Sequence, residues 1–137
     1  MRFLLRLIMR PLLFLSLFLL TACSTTTSSK QPLVLTEQQN NDTVNLTVGD
    51  EFIVQLKENP TTGYQWAVDV LPEQLALEKD EYHADPAPAM MVGSGGKKMF
   101  IFKVKKAGTA TLKLKEWRSW EGDKSIVERF DLTIQAK

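Results

Sequence analysis

The 137-residue sequence is poor in the side chains that do chemistry. It holds one cysteine and one histidine. A lone cysteine, Cys23, forbids any disulfide within one copy, and its position near the start leaves no thiol for catalysis further along. The single His83 has only the scattered carboxylates Asp80, Glu81 and Asp85 near it, a poor ligand set for zinc. No Gly-x-Ser-x-Gly or comparable nucleophile motif occurs. An enzyme, a metal site and a cofactor are therefore not expected, and His83 reads as a solvated strand-end residue. The net charge of +1 shows no basic excess, which argues against a nucleic-acid partner. There is also no apolar run of about 20 residues, the length a bilayer core requires.

What is present begins with a leader. Arg2, Arg6 and Arg10 precede a ten-residue apolar stretch, 11–20, as in a secretory signal. It ends in Leu20-Thr21-Ala22-Cys23, which resembles the lipobox of bacterial lipoproteins. The resemblance implies cleavage after residue 22 and a thioether-linked lipid on Cys23. Residues 1–22 are then a signal peptide. Residues 23–34 are the lipidated cysteine and a polar, flexible tether, 24–32 reading STTTSSKQP. Serine rather than aspartate after the cysteine, by resemblance to the bacterial sorting rule, favours the outer membrane, facing the periplasm. Loss of the leader removes three arginines and leaves 14 basic against 16 acidic side chains, a net charge of −2. Residues 35–137 suffice for one domain, expected as a monomer.

That domain has period-2 patterning. Alternation runs through 43–48 (Val44, Leu46, Val48), 51–57 (Phe52, Val54, Leu56), 64–70 (Tyr64, Trp66, Val68, Val70), 98–105 (Phe100, Phe102, Val104), 109–117 (Ala110, Leu112, Leu114) and 125–134 (Ile126, Phe130, Leu132, Ile134). Residues 77–83 form a weaker strand candidate and 33–36 a short edge strand. Seven or eight strands separated by turns predict an all-β sandwich, with a closed barrel as the alternative. The one helical hint is 72–76 (PEQLA), a single turn at most.

Three connections stand out: 58–63 (ENPTTG), 84–97 with Gly93-Ser94-Gly95-Gly96, and 118–124 (RSWEGDK). If the strand at 51–57 runs up, alternation of direction puts all three at the top and the tight turn 106–108 at the bottom. This parity requires 77–83 to be a strand. Trp120 lies outside the alternation and is expected to be partly exposed, whereas Trp66, in phase with Val68, belongs to the core.

Asn59-Pro60-Thr61-Thr62-Gly63-Tyr64-Gln65-Trp66 resembles the Asn-Pro-Thr-Thr-Gly-aromatic-x-Trp motif of the chagasin-like cysteine peptidase inhibitors. Gly93-Ser94-Gly95-Gly96 matches that family's Gly-x-Gly-Gly, and Arg118-Ser119-Trp120-Glu121 resembles its Arg-Pro-Trp-Glu. The resemblance implies an immunoglobulin-like sandwich that reversibly blocks the cleft of papain-like cysteine peptidases, with these three motifs as the peptidase-binding residues. Asn59 to Gly63 would enter the cleft, the glycine motif and Trp120 flanking it. Ser119 stands where the family has proline, which implies a floppier third loop. The competing reading is an immunoglobulin-like envelope lipoprotein that binds another protein without inhibiting a peptidase.

Overall fold

The structure, a computed structural model, describes residues 30–86 and 93–137. The leader, Cys23 and the tether up to residue 29 lie outside the described residues, as do residues 87–92 of the second loop. Eight strands form: β1 (Leu33–Leu35), β2 (Thr43–Leu46), β3 (Glu51–Glu58), β4 (Gln65–Val70), β5 (Leu75–Ala84), β6 (Gly96–Val104), β7 (Gly108–Trp117) and β8 (Glu128–Ala136). They make two four-stranded sheets, ordered β1-β3-β6-β5 and β2-β8-β7-β4. The sandwich, not the closed barrel, is the architecture. The edge strands β1 and β2 pair in parallel with β3 and β8, and every other pairing is antiparallel.

Alternation explains the packing. Phe52, Val54 and Leu56 of β3, Phe100, Phe102 and Val104 of β6, Leu112 and Leu114 of β7, and Phe130, Leu132 and Ile134 of β8 are buried between the sheets. The Phe52 and Phe102 rings stack with centroids 5.3 Å apart. Trp66 joins this core at 3% exposure, as its phase requires.

The departures have local causes. Strand β2 stops at Leu46, so Val48 lies in the following turn and is exposed; its N–H donates to the Lys137 carbonyl at 2.9 Å. The β4/β7 register shifts between Val68 and Val70, and Val70 is turned to solvent. Strand β8 begins at Glu128 because Ser125 closes a 3-10 turn, Asp123–Ser125. The run at 72–76 gives no helix. It makes one hydrogen-bonded turn, Leu75 N–H to Pro72 carbonyl at 3.0 Å, and burial of Leu75 starts β5 at once. The weak strand at 77–83 is part of the longer β5, so the parity condition holds. Its alternation was blurred by a bulge between Leu77 and Lys79.

Candidate functional site

The chain directions put three connections at one pole: β3 to β4, β5 to β6, and β7 to β8. They are not equivalent. The second and third loops each close a hairpin within one sheet. The first crosses from one sheet to the other, so it stands between the two hairpins.

The first loop is a closed, self-bonded unit. Pro60–Thr62 form a 3-10 turn, with Thr62 N–H donating to the Asn59 carbonyl at 3.1 Å and Gly63 N–H to the Pro60 carbonyl at 3.0 Å. The Asn59 carboxamide oxygen accepts from Thr61 N–H at 3.2 Å and from the Thr61 hydroxyl at 2.6 Å. The Thr62 hydroxyl donates to the Asn59 carbonyl at 2.7 Å. Proline at the first helical position fixes φ there. Gly63 ends the turn at φ 82°, a left-handed conformation that disfavours any Cβ.

Its stems are clamped across the sandwich. The Glu58 carboxylate accepts from Trp66 N–H at 2.6 Å, and Trp66 Nε1 donates to the Lys57 carbonyl at 2.9 Å. Glu58 is 4% exposed, and burial pushes its carboxyl above the usual range. Glu58 follows Phe52, Val54 and Leu56 at even spacing, so the alternation of β3 already aimed it inward. That parity is the signal by which sequence reasoning could have singled it out.

Arg118 joins the first and third loops. Its Nη2 donates to the Thr62 carbonyl at 2.9 Å, its guanidinium carbon lies 4.3 Å from the Tyr64 ring centroid, and Nη1 is 3.3 Å from Glu121. It stacks on Tyr64, not on Trp120. Its Nε is buried without a hydrogen-bond partner among the described residues. Trp120 is 70% exposed, yet one ring edge rests on the first loop: a Cβ added at Gly63 would lie 2.7 Å from Trp120 Cη2. The link to the second loop is lighter, Asn59 Nδ2 donating to the Gly93 carbonyl at 3.4 Å.

Ser119 lies inside a closed turn of the third loop. Glu121 N–H donates to the Arg118 carbonyl at 3.0 Å, closing a four-residue turn. The buried Ser125 hydroxyl holds its base, accepting from Arg118 N–H at 3.0 Å and lying 2.6 Å from the Gly122 carbonyl. Lys115 reaches Asp123 at 2.8 Å and Asp69 at 2.9 Å and sits 4.0 Å over the Trp117 ring. The hydrogen bond to Lys115 holds the Asp69 carboxyl below its usual range, and those to Asp123 and Asp69 raise the Lys115 ammonium. Nothing in the local sequence pattern around Ser125 or Lys115 announced these roles. Both depend on tertiary contacts.

The glycine motif divides in two. Gly93 is exposed beside Thr61, and Ser94 and Gly95 are half-buried. Gly96 is buried in the central strand β6, paired with Glu58 on one side and Ala84 on the other. A Cβ there would overlap the His83 carbonyl and the Tyr82 ring. Its lack of a side chain serves the sheet itself. His83 is exposed at the end of β5, 3.4 Å from Glu81.

Known proteins resemble this chain in sequence and in fold. Residues 45–134 match the model of the chagasin family of peptidase inhibitors, I42. The chain is 32% identical over 101 residues to Amoebiasin-2 of Entamoeba histolytica, covering 74% of this chain and 82% of that protein. It is 31% identical over 107 residues to Chagasin of Trypanosoma cruzi, covering 74% of this chain and 96% of that one. Among solved structures, the crystal structure of a cysteine protease inhibitor from Entamoeba histolytica matches with a TM-score of 0.69 at 30% identity, covering 77% of this chain and 95% of the other.

Proposed function

This chain belongs to the chagasin family of peptidase inhibitors, and from that premise we propose that it inhibits papain-like cysteine peptidases reversibly by plugging the active-site cleft. It is an inhibitor and not an enzyme. The observation that carries the mode of action is the direct bonding of the three motifs at one pole: Thr62 carbonyl to Arg118, and Asn59 to Gly93.

The inserting element is Asn59 to Gly63, with Tyr64 beneath it. Thr61 and Thr62 are small enough to approach the peptidase's nucleophile. Their hydroxyls are already bonded inside the loop, so the loop arrives ordered and loses little entropy on binding. The same bonds hold the loop's peptide groups in a tight turn, which keeps them from attack geometry and makes the loop a poor substrate. Gly93, Ser94 and Gly95 border one side of the cleft, with Gly96 holding the sheet beneath them. On the other side Trp120 is an exposed aromatic anchor, Arg118 fixes its distance from the first loop, and Ser119 and Glu121 complete the turn. An interface of about 800 Å² per partner is typical of such complexes.

We further infer that the chain is a lipoprotein of the cell envelope, held by a lipid on Cys23 after removal of residues 1–22. This reading rests on the leader and the lipobox-like Leu20-Thr21-Ala22-Cys23. Ser24 after that cysteine favours the outer membrane, facing the periplasm.

Titration against papain tests the inhibitor reading. Stoichiometric loss of peptidase activity is the expected result. No effect on several papain-like enzymes at micromolar inhibitor would overturn it in favour of a non-inhibitory binding module. For the anchor, Cys23→Ser is expected to abolish incorporation of labelled lipid, and normal labelling of that variant would refute it.

A further inference from the structure

The pole opposite the three loops has its own character. It is made by 47–50, 71–74 and 105–107, joined by bonds from Gly49 N–H to the Val104 carbonyl and from Lys105 N–H to the Gln74 carbonyl. Leu33, Val48 and Leu71 are exposed apolar side chains at this end. Lys30, Lys105, Lys106 and Lys137 surround them. Lys30 and Lys106 pair with Asp50 and Glu73, while Lys105 and Lys137 have no carboxylate partner among the described residues. The loop pole carries exposed charges of both signs, Asp85, Glu121, Asp123 and Glu128 beside Lys57, Lys97 and Lys124.

The chain also enters here. Strand β1 runs parallel to β3, with Leu33 opposite Phe52 at the foot of that strand. Residues 30–33 border a shallow groove shared with Leu46, Gly49 and Asp50. From Cys23 to Lys30 the chain is seven residues long, a reach of about 25 Å at full extension. The eight residues of β3 then span about 25 Å from this foot to the first loop.

The geometry points to this lysine-rimmed, partly apolar pole as the face that the anchored protein lays against an anionic bilayer surface. The loops then stand on the far side, open to peptidases that diffuse in the aqueous phase. The proposal rests on the Cys23 anchor inferred above. Lipid on Cys23 confines the foot of β1 to within the tether's reach of the headgroups. Lys105 and Lys137, at the foot, are then the lysines brought near anionic lipid, while Lys57, Lys97 and Lys124 stand at the far pole, a strand's length away. Apolar Val48 and Leu71 suit the interface, and a peptidase bound at Thr61 meets no steric bar from the membrane.

The test uses the full lipidated chain in vesicles of phosphatidylethanolamine and phosphatidylglycerol whose headgroups carry a fluorescence quencher. Fluorophores are placed singly through Val48→Cys at the foot and Val127→Cys beside the third loop; the native Cys23 sulfur is blocked by its lipid. The foot label is expected to be quenched at least threefold more than the loop label. Adding Lys105→Glu and Lys137→Glu should reduce that quenching, and papain added outside should be inhibited as well as it is by detergent-released protein. Equal quenching at both positions, stronger quenching at Val127→Cys, or no effect of the lysine changes would overturn the orientation. Mass analysis of the Cys23 peptide separates the two readings: a missing lipid overturns the anchor and the orientation with it, whereas a lipidated chain with its loops against the bilayer overturns the orientation alone.

Discussion

Gly63→Ala separates what the first loop needs to fold from what it needs to bind. Gly63 has φ 82°, where an L-residue costs about 1–2 kcal/mol. The new methyl would also meet Trp120 Cη2 at 2.7 Å and Cζ2 at 3.1 Å. Because Trp120 is 70% exposed, the ring can swing into solvent, so the clash adds little to the folding cost. The expected loss of stability is therefore only the backbone strain, and Tm should fall by about 5–10 °C for a domain of this size. Binding is affected differently. A displaced tryptophan anchor forfeits about 2 kcal/mol or more, which is about 30-fold in Ki. Thermal melts and tight-binding titration against papain measure the two effects. A double-mutant cycle with Trp120→Ala then decides the cause. If alanine at 63 acts by evicting the ring, the double variant should be no more than about threefold weaker than Trp120→Ala alone, allowing for residual loop strain. Multiplicative losses, or an unchanged Ki for Gly63→Ala, would refute the coupling.

Arg118→Lys should weaken inhibition by about tenfold, because an ammonium cannot both bond the Thr62 carbonyl and stack on Tyr64; a Ki within twofold of wild type would show that the bridge is dispensable. Ser119→Pro occupies the second position of the turn closed by Arg118 and Glu121, where proline is favoured. It should tighten binding about two- to fivefold through lower loop entropy, a gain of about 0.4–1 kcal/mol; weaker inhibition in the papain titration would mean that proline does not fit this turn. Glu116 is half-buried; burial first, then Glu128 and Glu58, push its carboxyl up. A carboxyl with a raised folded pKa favours folding below its unfolded pKa and loses that contribution as pH rises through the folded value. Glu116→Gln should therefore raise Tm at pH 7 with the gain shrinking towards pH 4, and a gain that grew on acidification would contradict this environment.

The alternation of apolar residues carried most of the fold, since inward side chains of a two-layer sandwich must repeat every second residue. It failed where the backbone departs from a plain strand. The bulge after Leu77 weakened β5, the shift at Val70 hid a surface residue among core positions, and the Ser125 turn delayed β8. The parallel pairing of β1 and β2 was not legible, because a strand's pattern says which face is inward but not which neighbour it bonds. In the site, the motifs marked where the loops are, and strand parity put them at one pole. What joins them was invisible: Arg118 reaches a carbonyl 56 positions earlier, and Gly96 is kept small by Tyr82 on the neighbouring strand. Such contacts depend on how two sheets are stacked, which no local pattern records.

The parallel pairing of β1 with β3 also bears on how the molecule carries mechanical load. A tension between a captured peptidase at one pole and a tether at the other would drag β1 along the axis of β3. Its ladder from Leu33 to Leu35 would then be strained in shear, all bonds at once, instead of being peeled open one by one. Buried Leu35 would have to slide out of the core at the same time. An N-terminal strand of three residues can in this way hold against a pull far better than its length suggests.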